Sequence, residues 1–298
     1  MACVAFDLDS TLGFFGVVNP LAYLWSVDHL MNPEQLRVNS PKKMSSMLLR
    51  QLEDAKRIFA DKLLKDDELL ATVIRPNIDA LLTPLLEARR SKHLKTIIIY
   101  SNTSVSYSVE LAKYLLEQLF QTNIFSLEAD HWHPLRDADH VHEKKNEYVE
   151  PLKTIETLQK LFKKALHQKK TVPLNNILFV DDRLPKHTLQ EQEQEGLTYI
   201  VPTAFSSPVT MKQKNRIFRL AQLALYESGL SQNREYLASG FCNRNIPYDY
   251  TKDIPLKGLN ELVGFVAHSM KDVKGFEWRP DTAALTRKVH KFLNQVKP

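Results

Sequence analysis

Asp7 and Asp9 stand two residues apart in the run Asp7-Leu8-Asp9-Ser10-Thr11-Leu12, and a second acid pair, Asp181-Asp182, stands in direct succession. A hydroxyl and an amide, Ser101 and Asn102, form a third polar cluster. Each cluster closes an apolar run, at residues 2–6, 176–180 and 95–100 respectively. Acids so placed cost free energy unless hydrogen bonds or a cation offset them, and a divalent metal would do so. A calcium loop of the EF-hand kind is excluded at Asp7, because its sixth position needs Gly and Leu12 stands there. The plain alternatives are a solvated acidic turn for Asp7 and Asp9, and an ordinary helix cap for Ser101 and Asn102. Ser101 and Asn102 could otherwise hold a phosphate at the start of the following helix.

Apolar runs of this length beside charged residues read as buried strands. In a parallel sheet with helical crossovers, strands end at one edge, and ligands bind in the crevice there. The crossovers are predicted at residues 76–91, where Ile78, Leu81, Leu82, Leu85 and Leu86 share one face, and at 105–120 and 152–166. Further strands at 123–127 and 197–201 bring the sheet to about five. The expected fold class is α/β, a doubly wound parallel sheet with a helical cap insertion and a helical C-terminal extension. Residues 1–12 and 76–205 would form the core. Residues 13–75 would form the cap, with helical stretches at 20–31 and 43–70. Residues 206–298 would form the extension, with helices at 211–226, 259–270 and 281–295, the last opened by Pro280.

The order of these motifs resembles the haloacid dehalogenase superfamily of phosphohydrolases. That pattern is an apolar strand with D-x-D-x-T, a second with Ser or Thr, a Lys, and a third with paired acids. Here stand Val4-Ala5-Phe6-Asp7-Leu8-Asp9-Ser10-Thr11, then Ile97-Ile98-Ile99-Tyr100-Ser101-Asn102, then Lys153, then Ile177-Leu178-Phe179-Val180-Asp181-Asp182. The resemblance spans residues 2–205 and implies a phosphatase that works through an aspartyl-phosphate. It implies Asp7 as nucleophile and Asp9 as general acid and base. Thr11, Ser101, Asn102 and Lys153 would surround the phosphate, with the Thr11 hydroxyl orienting Asp7 or Asp9; Lys144 and Lys145 compete for the lysine's role. Mg²⁺ is the implied cofactor, held by Asp7, Asp182, the Asp9 carbonyl and, through water, Asp181. Ser10 departs from the Glu or Gly often found there, which leaves the subfamily open. The wording Asp-Leu-Asp-Ser-Thr-Leu-Gly is similar to relatives encoded by large DNA viruses.

The composition, 43% apolar and 25% charged, is that of an ordinary soluble globular protein. Cys3 and Cys242 lie at opposite ends and make neither a disulfide framework nor a ligand pair, so a cytoplasmic or other reducing intracellular compartment is expected. No positively charged leader precedes Asp7, and no apolar run approaches the ~20 residues that span a membrane. Residues 206–298 carry 15 Lys and Arg against 8 Asp and Glu. Such a bias marks either a solvated face or a surface for nucleic acid or another acidic partner. The large insertion favours a small phosphorylated substrate over a polymer. His131, His133, His140 and His142 form two His-x-His pairs able to hold zinc, but among Asp137, Asp139, Lys144 and Lys145 they read as a polar loop. Beside a phosphatase stand a phosphotransferase of the same mechanism and a binding or structural protein on this scaffold.

Overall fold

The computed structural model describes residues 1–25, 45–101, 103, 105–129, 153–183, 196–238, 259–275 and 280–296. The elements begin with β1 (Ala2–Phe6), α1 (Ala22–Trp25), α2 (Ser46–Leu64), α3 (Asp67–Val73), α4 (Ile78–Arg90) and β2 (Leu94–Tyr100). Next come α5 (Ser106–Phe120), β3 (Leu127–Ala129), α6 (Ile155–Ala165), β4 (Ile177–Val180) and β5 (Thr198–Ile200). After β5 the described residues form α7 (Met211–Glu227), α8 (Arg234–Ala238), α9 (Leu259–Asp272) and α10 (Thr282–Gln295).

The five strands are all parallel, in the order β3-β2-β1-β4-β5. From β1 the chain steps out to β2 and β3, then returns to the other side of β1 for β4 and β5. This is the expected doubly wound α/β architecture, and its connections diverge between β1 and β4, the topological switch point. Strand alternation explains the burial. Cys3 and Ala5 of β1, Ile98 and Tyr100 of β2, and Ile177 and Phe179 of β4 share a core with Ile155, Leu158, Leu161 and Phe162 of α6. Their alternates Val4, Phe6, Ile97, Ile99, Leu178 and Val180 are fully buried too, as a sheet covered on both faces requires.

The structure differs from expectation at two elements. β3 starts at Leu127, because Glu117 accepts the Ile124 and Phe125 amides at 2.9 and 3.0 Å, while Arg89 donates to the Ile124 and Asn123 carbonyls. Backbone groups so engaged by side chains cannot join a ladder. The helical stretch 43–70 is two helices, since α2 ends at Lys65 and the Asp66 carboxylate accepts the Leu69 amide at 3.1 Å to start α3.

Contacts group the chain into two units: Met1–Phe15, Ala71–Ser207 and Phe276–Pro298 form one, and Gly16–Leu70 with Pro208–Gly275 the other. The grouping divides residues 206–298 between the two. In the first unit α10 packs on α4, and the Thr282 hydroxyl donates to the Pro76 carbonyl at 2.9 Å. In the second, α7 packs on α2 and α9, with Lys214, Ile217, Ala221, Ala224 and Leu225 of α7 buried. Side chains tie its two halves: Tyr236 donates to the Leu24 carbonyl at 2.6 Å, Ser45 donates to Glu235, and Arg216 pairs with Asp66 and Glu68. No helix among the described residues is long and apolar enough to cross a membrane.

Candidate active site

β1 and β4 run in register to Phe6 and Val180, so the next residues, Asp7 and Asp181, emerge side by side at the switch point. The backbone holds them there: the Asp7 amide donates to the Val180 carbonyl at 2.8 Å, and the Asp181 amide to the Ile200 carbonyl at 3.1 Å. Asp7, Asp181 and Asp182 each offer a carboxylate oxygen within 4.8 Å of the others. Lys153, just before the Thr154 cap of α6, is 2% exposed and points its ammonium into this group. It donates to Asp7 Oδ1 at 2.5 Å and to Asp181 Oδ2 at 2.6 Å. The other Asp181 oxygen accepts the Arg183 amide at 2.9 Å. Tyr100 and Phe179 stack 6.0 Å apart, and the Lys153 ammonium lies 5.8 and 5.3 Å from their ring centres. Aromatic faces at that distance attract the cation and wall it from water.

After β1 the backbone coils into a tight loop. Leu8 accepts the Leu12 and Gly13 amides, and Ser10, at φ 61°, donates to the Gly13 carbonyl at 2.7 Å. Gly13 is sterically required, since a Cβ there would lie 2.3 Å from the Val73 carbonyl oxygen and 2.6 Å from the Phe15 ring. The loop aims Asp9, half-buried, whose Oδ1 accepts the Phe15 amide at 3.1 Å. Thr11 is fully buried, and its hydroxyl accepts the Asp182 amide at 3.1 Å. It thus braces the end of β4. Ser101, also buried, accepts the Thr103 amide at 3.2 Å where β2 ends. Asn102, Lys144, Lys145 and the four histidines lie outside the described residues.

Four acids crowd one buried lysine, and their ionisation reflects it. Burial pushes Asp9 up to about 6, helped by the neighbouring Asp7 charge. Burial likewise pushes Asp182 up to about 7, helped by Asp7 and Asp181. Asp7 is raised by burial, more than Lys153 pulls it down. Burial works against the charge of Lys153, but Asp7 and Asp181 outweigh it and hold the ammonium protonated. The set suits a hard divalent cation. Its donors are all oxygens, gathered within reach of one another, and oxygen ligands are what Mg²⁺ prefers. Negative charge remains after Lys153 is counted.

Sequence reasoning missed Arg75 and the aromatic pair. Arg75, 1% exposed, donates through Nε to the Thr11 carbonyl at 2.5 Å and through Nη2 to Ser10 and Thr203 carbonyls at 2.8 and 2.6 Å. Nothing in the residue types around Arg75 marks it, because its partners are backbone carbonyls.

The chain matches no family model and no curated protein. Among solved structures it is similar to a mutant of CbbY from Rhodobacter sphaeroides in complex with xylulose-(1,5)bisphosphate, at 19% identity and a TM-score of 0.34. That match covers 69% of this chain and 87% of the other. A likeness so loose carries no argument, and it lends none to viral relatives. Fold and site rest on the chain's own strands and side chains.

Proposed function

We propose that the chain is a Mg²⁺-dependent phosphohydrolase that cleaves a small phosphomonoester through an aspartyl-phosphate on Asp7. The observation that carries this reading is the buried Lys153 ammonium held between Asp7 and Asp181 at the switch point, with Asp182 beside them. The order of these residues along the chain also supports it, through the resemblance to the haloacid dehalogenase superfamily.

Asp7 attacks phosphorus in line, forming a carboxyl–phosphate bond as the bond to the ester oxygen breaks. Asp9, raised to about 6, gives its proton to the leaving oxygen. It then takes a proton from the water that attacks the acyl-phosphate, which frees Asp7 and inorganic phosphate. Lys153 faces the phosphoryl oxygens and neutralises the charge they gather in the transition state. Ser101, at the end of β2, would contact the phosphate through its hydroxyl. Asp7, Asp182, the Asp9 carbonyl and, through water, Asp181 would hold Mg²⁺, which when bound offsets the charge of acids and phosphate and polarises a phosphoryl oxygen.

Hydrolysis of para-nitrophenyl phosphate tests the reading. We expect turnover with Mg²⁺, none with a chelator, and a loss of at least a hundredfold in Asp9→Asn, in line with general acid–base contributions. A screen of sugar phosphates, nucleotides and 3′-phosphorylated oligonucleotides would then name the substrate. Turnover indifferent to chelation, or none on any phosphomonoester, would overturn the proposal.

A further inference from the structure

The loop from Asp9 to Leu12 carries both the proposed acid and Thr11, whose hydroxyl braces Asp182, yet its backbone is not held by the sheet. Beyond the loop's own bonds to Leu8 and Gly13, Arg75 holds it. Its amide donates to the Leu12 carbonyl at 3.1 Å, its Nε to the Thr11 carbonyl at 2.5 Å, and its Nη2 to the Ser10 carbonyl at 2.8 Å. Nη2 also reaches the Thr203 carbonyl at 2.6 Å, and the Phe205 amide donates to the same Ser10 carbonyl at 2.8 Å. One guanidinium thereby pins the loop to the segment that follows β5.

The arrangement is costly. Arg75 is a buried cation that makes no ion pair among the described residues, and its Nη1 has no hydrogen-bond partner. A buried charge held by carbonyls, favoured only through space by the Asp182 carboxylate and with one donor left over, opposes folding. What the planar fork offers is rigidity: it fixes three carbonyls of two segments at once, which a flexible ammonium or a single amide cannot do. The clamped loop is the one that needs rigidity. Ser10 sits in the left-handed region at φ 61°, Asp9 precedes it, and Thr11 follows with its hydroxyl on the Asp182 amide.

We infer that Arg75 is a positioning residue for the proposed phosphoryl transfer: its guanidinium fork sets the loop that aims Asp9 and, through Thr11, the turn that carries Asp182. The inference rests on the phosphohydrolase reading for its kinetic consequence, but the clamp itself is a statement about backbone order.

Both parts are measured on Arg75→Met and Arg75→Gln in the full chain. Hydrogen–deuterium exchange reads the clamp: peptides covering residues 8–15 and 199–207 should exchange faster in the variants, while β1 and β4 stay protected. Steady-state hydrolysis of para-nitrophenyl phosphate reads the consequence. We expect kcat to fall about tenfold to a hundredfold, as for a misplacement of about 1 Å, with KM changed less than threefold. Exogenous guanidinium should recover part of the rate in Arg75→Met. A folded variant with parental exchange in both peptides, or with parental kcat, would overturn the inference. So would two variants that fail to fold, because Arg75 would then be part of the core rather than a positioner. If the parent protein hydrolyses no phosphomonoester, the phosphohydrolase reading fails, and exchange alone decides the clamp.

Discussion

In the unit built on the sheet, Lys153 holds Asp7 and Asp181 with its side chain 3% exposed; in the helical unit, Arg216 holds Asp66 and Glu68 with its side chain 36% exposed. Each is one cation shared by two carboxylates. Around Arg216 the solvent screens the charges, so the cluster is a surface tie between residues 66–68 and α7. Around Lys153 there is little water to screen, and Asp9 and Asp182 add charge that the lysine does not cancel. A fold alone would be served as well by apolar side chains of the same volume. Surplus acid crowded on a buried lysine is therefore evidence for chemistry, whereas the exposed cluster is evidence only for assembly.

The largest effect should follow from breaking the buried cluster. Lys153→Met should lower kcat by about a hundredfold to a thousandfold, the usual cost of removing one donor to a developing charge. It should also destabilise the chain by about 3–5 kcal/mol, because Asp7 and Asp181 would face each other unpaired. Kinetics beside urea unfolding measures both, and a variant within threefold of the parent rate would erase the contrast between the clusters.

An intermediate effect sharpens the comparison through pH. Asp182 rises from 3.8 to about 7 on folding, chiefly by burial. Between those values the folded chain binds more protons than the unfolded one, so stability falls as pH rises through that window. Asp9 adds the same sign up to about 6. Urea midpoints with chelator present should therefore be higher at pH 5 than at pH 8. Asp182→Asn should remove a part on the order of 3 kcal/mol, and added Mg²⁺ should recover stability at pH 8. A parent protein no less stable at pH 8 than at pH 5 would show that the acids are compensated without a cation.

The smallest effect belongs to the exposed cluster. Arg216→Ala should leave para-nitrophenyl phosphate turnover unchanged, and any shift in the unfolding midpoint should shrink in 1 M salt, which weakens exposed ion pairs. A loss of activity would mean that the two clusters are coupled.

How far the sequence reaches follows from the same physics. β1, β2 and β4 were legible because central strands of a parallel sheet are short apolar runs, and Asp7, Ser101 and Asp181 because each breaks its run at the last position. β3 was placed too early, since nothing in the wording of residues 123–126 says that Glu117 and Arg89 capture their backbone groups from elsewhere in the chain. Lys153 was legible only through motif order, as a lysine before a helix resembles any solvated lysine until its burial is seen. Arg75 was illegible for the converse reason: its partners are carbonyls, which leave no trace in residue types. The grouping of residues 208–275 with 16–70 was hidden likewise, because Glu235, Tyr236 and Arg216 find their partners across more than a hundred positions of sequence.

The central claim is that Asp7 becomes covalently phosphorylated. Borohydride reduction of the protein quenched during turnover of a phosphomonoester with Mg²⁺ converts an aspartyl-phosphate to homoserine, and mass spectrometry locates it. The account predicts homoserine at position 7 in the parent, enriched in Asp9→Asn if that variant stalls at the acyl-phosphate, and absent in Asp7→Asn. Turnover that continues in Asp7→Asn, or a reduced residue at another position, would contradict it.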